Sequence, residues 1–263
     1  MIEQAGFPLV YVSGAGIANG FLGVPDIGLL SCEVMVACAG AIVQAVQVPV
    51  IADADTGFGE TLNVVQTVAR YEQTGLAGLH LEDQELPKRC GHLPGKRLVP
   101  TATMEQKIVA AVHAKRNPDF TIIARTDARA VEGFDAAVAR ARRYVAAGAD
   151  MLFPEALQSA EELAAFARAF PDTPLLANMT EFGQTPYLTA SQLGTLGYRV
   201  VIFPMTLFRA MLPAVSQALR VLAAEGSQQT LLAELMPRAQ LRGILTTPAW
   251  ERWGESPQQP SPR

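Results

Sequence analysis

At 263 residues the chain is long for one ordinary domain but a natural length for a single α/β barrel. Apolar residues make up 49% and charged residues 17%, which supplies a large core and excludes wholesale disorder. Lys and Arg total 21 against 25 Asp and Glu, a net charge of −4 that offers no basic footprint for nucleic acid or an anionic membrane surface.

The chain opens on Ile2-Glu3-Gln4-Ala5-Gly6, which reads as the last turn of a helix closed by a glycine. Strand-like apolar runs follow at 9–13, 48–53, 78–82, 120–125, 151–153, 174–178 and 199–203. Helical patterns at 61–73, 103–115, 134–147 and 159–170 lie between them. Thr103 with Gln106 fits a capping box, and Gly75 and Gly148 fall where a helix needs a left-handed residue to stop. Cys32 and Cys38 sit in an apolar helical stretch and read as core, while its uncharged part, 34–48, also suits a face toward a partner subunit. Runs such as Val-Pro-Val-Ile-Ala are apolar throughout, as strands buried on both faces of a parallel sheet must be. A helical pattern at 207–222 and a shorter one at 230–235 close the chain, before a Pro-rich tail at 256–263 that reads as unstructured. The expectation is one barrel with C-terminal helices over residues 1–255. Seven strands are visible where a closed barrel needs eight. Either an edge is left open or the natural start lies upstream of Met1.

No uninterrupted apolar run approaches the ~18 residues of a membrane span. The N-terminus lacks a basic stretch ahead of an apolar one, and three cysteines make no disulfide framework, so a cytoplasmic, non-membrane protein is expected.

Polar residues gather where each strand should finish: Ser13-Gly14, Asp53 and Asp55, Glu82-Asp83, Arg125 and Asp127, Glu155, Asn178 with Thr180. Chemistry at the carboxyl ends of successive parallel strands points to an active (β/α)₈ barrel, because a doubly wound sheet would concentrate it at one switch point. Asp53 and Asp55, two apart, aim their carboxylates the same way and repel unless a cation sits between them. Oxygen ligands suit Mg²⁺, with Glu82 and Asp26 placed to hold its waters. The alternative is that Asp53 caps a turn and Asp55 opens a glycine-rich loop; including Glu82 favours the metal.

In Lys88-Arg89-Cys90-Gly91-His92 a thiol is flanked by cations, which favours thiolate, on a loop hinged by Gly91 and Gly95. Cys90 is the expected nucleophile or proton carrier. Arg125 at a strand end is the best carboxylate clamp, whereas Arg209 and Arg238 taken singly read as surface residues. His80 and His113 read as structural. Ser13 to Gly20 lacks the third glycine of a dinucleotide fingerprint but suits a backbone nest for a carboxylate.

Taken together, Tyr11-Val12-Ser13-Gly14, Asp53-Ala54-Asp55, Glu82-Asp83-Gln84, the Lys88–His92 loop, Ala124–Ala128, Phe153–Ala156 and Asn178–Gly183 resemble the isocitrate lyase and phosphoenolpyruvate mutase superfamily, in its methylisocitrate lyase branch. The resemblance covers about Gln4 to Arg238. It implies a barrel whose C-terminal helix swaps between subunits of a homotetramer. It further implies an Mg²⁺-dependent (or Mn²⁺-dependent) cleavage of 2-methylisocitrate to pyruvate and succinate in propionate breakdown, with no partner beyond the carboxylate substrate. By family match Asp53 and Asp55 hold the metal, supported by Asp26 and Glu82. Ser13, Gly14, Ala15, Gly91, Arg125, Glu155, Asn178, Thr180, Arg209 and Arg238 bind substrate. Cys90, Lys88, His92 and Tyr11 are catalytic: Cys90 protonates the departing carbon, and Tyr11 takes the hydroxyl proton. The family's first strand and most of its first helix have no counterpart. The continuation Leu93-Pro94-Gly95-Lys96 also occurs in relatives acting on dimethylmalate or oxaloacetate, so those activities, a phosphonomutase and a catalytically dead barrel are the alternatives.

Overall fold

The computed structural model describes residues 1–256; the expected tail at 256–263 lies, beyond Ser256, outside them. By internal contacts the chain divides into two compact units, Pro8–Thr206 and a second made of Met1–Phe7 with the chain from Leu207 onward.

The first unit begins with β1 (Val10–Val12), a short helix α1 (Gly14–Ile17) and α2 (Cys32–Ala45), and alternates from there. The succession is β2 (Val50–Asp53), α3 (Thr61–Gln73), β3 (Gly78–Glu82), α4 (Thr101–Ala114), β4 (Thr121–Thr126), α5 (Ala128–Val131) and α6 (Phe134–Ala146). Then come β5 (Met151–Pro154), α7 (Ala160–Ala169), β6 (Leu175–Asn178), α8 (Ala190–Leu196) and β7 (Tyr198–Ile202). All seven strands are parallel and pair in chain order. Each expected strand is present.

The sheet curls into a nearly closed barrel. Ile51 of β2, Ile123 of β4, Phe153 of β5, Leu176 of β6 and Ile202 of β7 pack in one buried cluster, with Leu9 and Tyr11 against it. In a flat sheet β2 and β7, five strands apart, would stand roughly 24 Å from each other at the usual strand spacing. Their shared cluster therefore requires curvature, and each such side chain contributes on the order of 1.5–3 kcal/mol by leaving water. Among the described residues no ladder joins β7 back to β1.

Some local readings need correction. Helix α4 begins at Thr101 with Pro100 at its N-cap, so Thr103 lies inside the first turn and caps nothing. Proline lacks an N–H and is easily placed where the helix has none to bond. Gly75 and Gly148 do stop their helices in left-handed geometry, at φ 88° and 101°. Cys32 and Cys38 are half-buried rather than core, because α2 turns only Met35 and Ala39 fully inward.

The second unit holds α9 (Thr206–Glu225), a 3₁₀ turn at Gln229–Leu231 where a longer helix was expected, α10 (Arg238–Ile244) and α11 (Thr247–Glu255). None of α9 is buried, and Leu207, Met211, Leu212, Val215, Leu219 and Leu222 are exposed along it. This helix, with a mean hydropathy of 1.2, is long and apolar enough to cross a membrane by length and composition, although polar residues interrupt its apolar run. Its apolar residues recur at helical spacing between Arg209, Ser216, Gln217 and Arg220, a pattern that suits packing on one face.

Candidate active site

Parallel register sets the carboxyl ends of the strands at one level. Asp53 stands beside His80, Glu82 beside Arg125, and Arg125 beside Phe153. These neighbours interact directly: His80 Nε2 lies 3.4 Å from Asp53 Oδ1, and Arg125 Nη2 lies 3.4 Å from Glu82 Oε2. The Arg125 guanidinium also lies 5.1 Å from the Phe153 ring centre, a cation–π contact.

Asp53 and Asp55 are both buried. The Asp55 N–H donates to Asp53 Oδ1 at 2.9 Å, and the Gly14 N–H donates to Asp53 Oδ2 at 3.2 Å. The expected carboxylate nest at Ser13–Gly14 therefore spends one donor on Asp53, while Ser13 Oγ accepts the Gly16 N–H to cap α1. Asp55 has a left-handed φ of 45°, a conformation aspartate tolerates better than most residues. Lys88 reaches down from the cysteine loop to this cluster. Its ammonium pairs with Asp26 and lies 2.9 Å from Asp55 Oδ1.

The electrostatics separate the two aspartates. Burial and the charge of Asp53 push the Asp55 carboxyl up to about 6. Burial also opposes ionisation of Asp53, but His80, Lys88, Arg125 and the Asp55 N–H outweigh it and hold that carboxyl below its usual range. Burial drives Glu82 well above the usual range despite Arg125 and Lys88. The site thus holds more acid than its own cations neutralise, and buried Glu82 Oε1 has no hydrogen-bond partner. Both facts fit a bound cation. Among the described residues no three His, Cys, Asp or Glu side chains converge as a complete cage. That suits a hard cation taking one or two carboxylates and filling its shell with water and substrate.

Cys90 is half-buried beside Gly91 and His92. Burial pushes its thiol up from the ordinary value, and Glu155 adds to this, against Arg125 and a backbone hydrogen bond. The expected thiolate is thus overturned. Lys88 turns toward the acids, and the sulfur is kept protonated. A protonated thiol is a proton donor.

Opposite the acids, Glu155 accepts from Asn178 Nδ2 at 3.1 and 3.3 Å, and His92 Nε2 lies 2.8 Å from its Oε1. His92 Nδ1 accepts the Gln184 N–H at 2.9 Å, which puts the ring proton on Nε2, facing Glu155. Burial opposes the Glu155 charge, but Arg125, His92 and Lys96 hold its carboxyl down at about 2. Glu155 is followed by Ala156 at φ 57°, left-handed backbone strain beside this carboxylate.

Tyr11 and His80 form a pair that the sequence did not reveal. Tyr11 Oη and His80 Nε2 are 2.9 Å apart, and His80 Nδ1 has no partner. A buried orphan N–H costs more than an orphan lone pair, and Asp53 also faces Nε2, so the ring proton sits on Nε2. Nε2–H then donates to the phenol oxygen, leaving the Tyr11 hydroxyl to donate into the cavity it lines. Burial, with Asp53, raises the phenol well above its ordinary value, so proton acceptance by Tyr11 does not fit its surroundings. His80, read as structural, orients Tyr11.

These groups line a cavity of about 60 Å³: Tyr11, Ser13, Ala15, Asp26, Asp53, Lys88, Cys90, Gly91, His92, Arg125, Glu155, Asn178 and Thr180 all contribute. A larger cavity of about 300 Å³, between the N-terminus of α2 and α3, is lined by Asp55 but by none of Cys90, Arg125 and Glu155. The smaller cavity gathers Cys90, Arg125, Glu155 and Asp53, while Asp55 borders the larger one. Arg209 on α9 and Arg238 at the start of α10 belong to the second unit, and both are exposed.

A strand-end acid cluster facing a buried arginine–glutamate pair, beneath a thiol-bearing loop, defines a barrel enzyme for small carboxylates. Residues 1–223 match the family model of phosphoenolpyruvate phosphomutase, and the chain belongs to that family. It is 50% identical over 245 residues to the 2-methylisocitrate lyase of Aeropyrum pernix, covering 93% of this chain and 78% of that protein. Crystalline 2,3-dimethylmalate lyase, described as a PEP mutase/isocitrate lyase superfamily member, superposes with a TM-score of 0.88 at 38% identity, covering 92% of this chain and 81% of that one. Phosphonopyruvate hydrolase, solved as a complex with oxalate and Mg²⁺, superposes at 0.84 with 29% identity, covering 97% and 88%.

Proposed function

We propose that the protein is a divalent-cation-dependent carbon–carbon lyase that cleaves 2-methylisocitrate to pyruvate and succinate in propionate breakdown. The observation that carries this reading is a half-buried, protonated thiol at Cys90 lining one cavity with Asp53, whose carboxylate is held by the Asp55 N–H. Relatives named 2-methylisocitrate lyase at 41% to 50% identity support the choice of substrate. The reading extends to a cytoplasmic enzyme, one barrel over residues 1–255, assembled as a tetramer in which the apolar stripe of α9 packs on a neighbouring subunit.

Asp53 and Asp55 would hold Mg²⁺, or Mn²⁺ in its place, with Asp26 and Glu82 fixing its waters. That cation supplies charge stabilisation for the substrate oxygen that loses its proton. The chain's own groups do the rest. Arg125 pairs with the carboxylate of the departing succinate unit, where charge builds as the carbon–carbon bond breaks. Cys90 then gives its thiol proton to that carbon, and the proton released from the substrate hydroxyl restores the thiol, so the cycle closes with no net proton change. Ser13, Ala15, Gly91, Asn178 and Thr180 border the substrate, Tyr11 donates a hydrogen bond to it, and His92 keeps Glu155 in place. Arg209 and Arg238 would bind the outlying carboxylates. Lys88 balances the acid charge from the loop.

The test is pyruvate release from a panel of 2-methylisocitrate, dimethylmalate, oxaloacetate and phosphonopyruvate, with Mg²⁺ and with EDTA. Release from 2-methylisocitrate that stops with EDTA is expected. Release from oxaloacetate alone would reject the substrate, and release from none would favour a catalytically dead barrel.

A further inference from the structure

The loop that carries Cys90 is held from its own base. Gln84 and Leu98 form an antiparallel bridge across the foot of the loop. The Gln84 side chain then grips the peptide before the thiol: its Nε2 donates to Arg89 O at 2.8 Å, and its Oε1 accepts the Arg89 N–H at 2.9 Å. On the other side of Cys90, the Lys96 ammonium donates to the Gly91 carbonyl. The residues on either side of Cys90, Arg89 and Gly91, are thereby both held.

Lys96 does a second thing. It is buried, and its ammonium also donates to Asp127 Oδ1 at 2.9 Å. The same Asp127 carboxylate takes two hydrogen bonds from Arg125, from Nε at 2.9 Å and Nη2 at 3.1 Å. Asp127 is itself pinned, its N–H donating to Asp83 Oδ1 at 2.9 Å. Gly91 completes the contact: a Cβ there would come within 2.5 Å of Arg125 Nη2 and 2.3 Å of Glu155 Cγ, so the loop peptide lies directly on the clamp. One buried carboxylate thus joins the group placed to bind substrate carboxylate to the loop bearing the proton donor.

We infer that Lys96 is a positioning residue that latches the closed cysteine loop onto Arg125 through Asp127, setting the thiol over the reacting carbon. This rests on the lyase reading above for its consequence in turnover, but the latch itself is testable without turnover. A charge-assisted pair on a Gly-hinged loop suits a latch that makes and breaks.

The test uses full-length protein in a C32S/C38S background, so that Cys90 is the sole thiol. The rate of Cys90 alkylation by iodoacetamide is compared between Lys96, Lys96→Met and Lys96→Arg, together with kcat and KM. With the latch removed, Lys96→Met should alkylate at least about tenfold faster because the loop opens more often. Its kcat should fall by about tenfold or more while KM changes little, the signature of a misplaced reacting group. Lys96→Arg, which keeps charge and donors, should recover part of both. Should Lys96→Met not fold, Lys96→Gln provides the same comparison. Unchanged alkylation and unchanged kcat in a folded variant would overturn the inference. Absence of cleavage by the parent enzyme would instead sink the proposed function, leaving the alkylation result to decide the latch.

Discussion

The affinity for a divalent cation should depend on pH through Asp55. Its carboxyl titrates at about 6, raised by burial and by Asp53, so proton and metal compete for the same oxygens. For one competing proton the apparent dissociation constant scales with 1 + 10^(pKa − pH). Relative to pH 8, binding should weaken about tenfold at pH 5 and about a hundredfold at pH 4, some 1.4 kcal/mol per unit. Above pH 7 it should be flat. The metal-free protein should show the opposite side of this linkage. Its Asp55 releases a proton on unfolding anywhere between the ordinary value of 3.8 and about 6, so stability falls as pH rises through that window and is level beyond it. The loss is bounded at about 3 kcal/mol, which a bound cation would relieve. Calorimetric titration with Mg²⁺ or Mn²⁺ from pH 5 to 8 measures the effect, with Asp55→Asn as the control that removes the titrating group. Affinity that is flat across this range, or one unaffected by Asp55→Asn at pH 8, would refute the assignment of these oxygens to the cation.

Gly14→Ala should weaken metal binding by about tenfold or more, because its Cβ would stand 2.7 Å from Asp53 Oδ2 and push that carboxylate out of place; calorimetry detects it. Tyr144→Phe removes a buried hydroxyl that donates to Asp83 Oδ2 at 2.7 Å. It should cost about 1–3 kcal/mol in urea unfolding, with little change in KM, since Asp83 supports Asp127 from behind.

The strands and most strand-end polar residues were legible in the sequence for a physical reason. A charged residue ending an apolar run, as at Asp53, Glu82, Arg125 and Glu155, has nowhere to go but the barrel mouth. Lys96, Asp127 and His80 were not legible, because their partners are distant in sequence: Lys96 and Asp127 lie on different elements, and His80 meets Tyr11 across two strands. In the sequence, Lys96 looks like one more cation on a solvated loop. The thiol chemistry was misread for a related reason. Lys88 and Arg89 neighbour Cys90 along the chain, but Lys88 is committed to Asp26 and Asp55, and burial dominates what the sulfur feels. At the C-terminus, α10 and α11 carry too many polar residues to show an apolar period.

The most direct test compares wild type and Cys90→Ser in cleavage of 2-methylisocitrate under saturating Mg²⁺, alongside product binding by calorimetry. A serine hydroxyl is a far poorer proton donor than this thiol, so kcat should fall by about 10²–10⁴ while metal and product bind as before. Turnover equal to wild type in a folded Cys90→Ser enzyme would contradict the account.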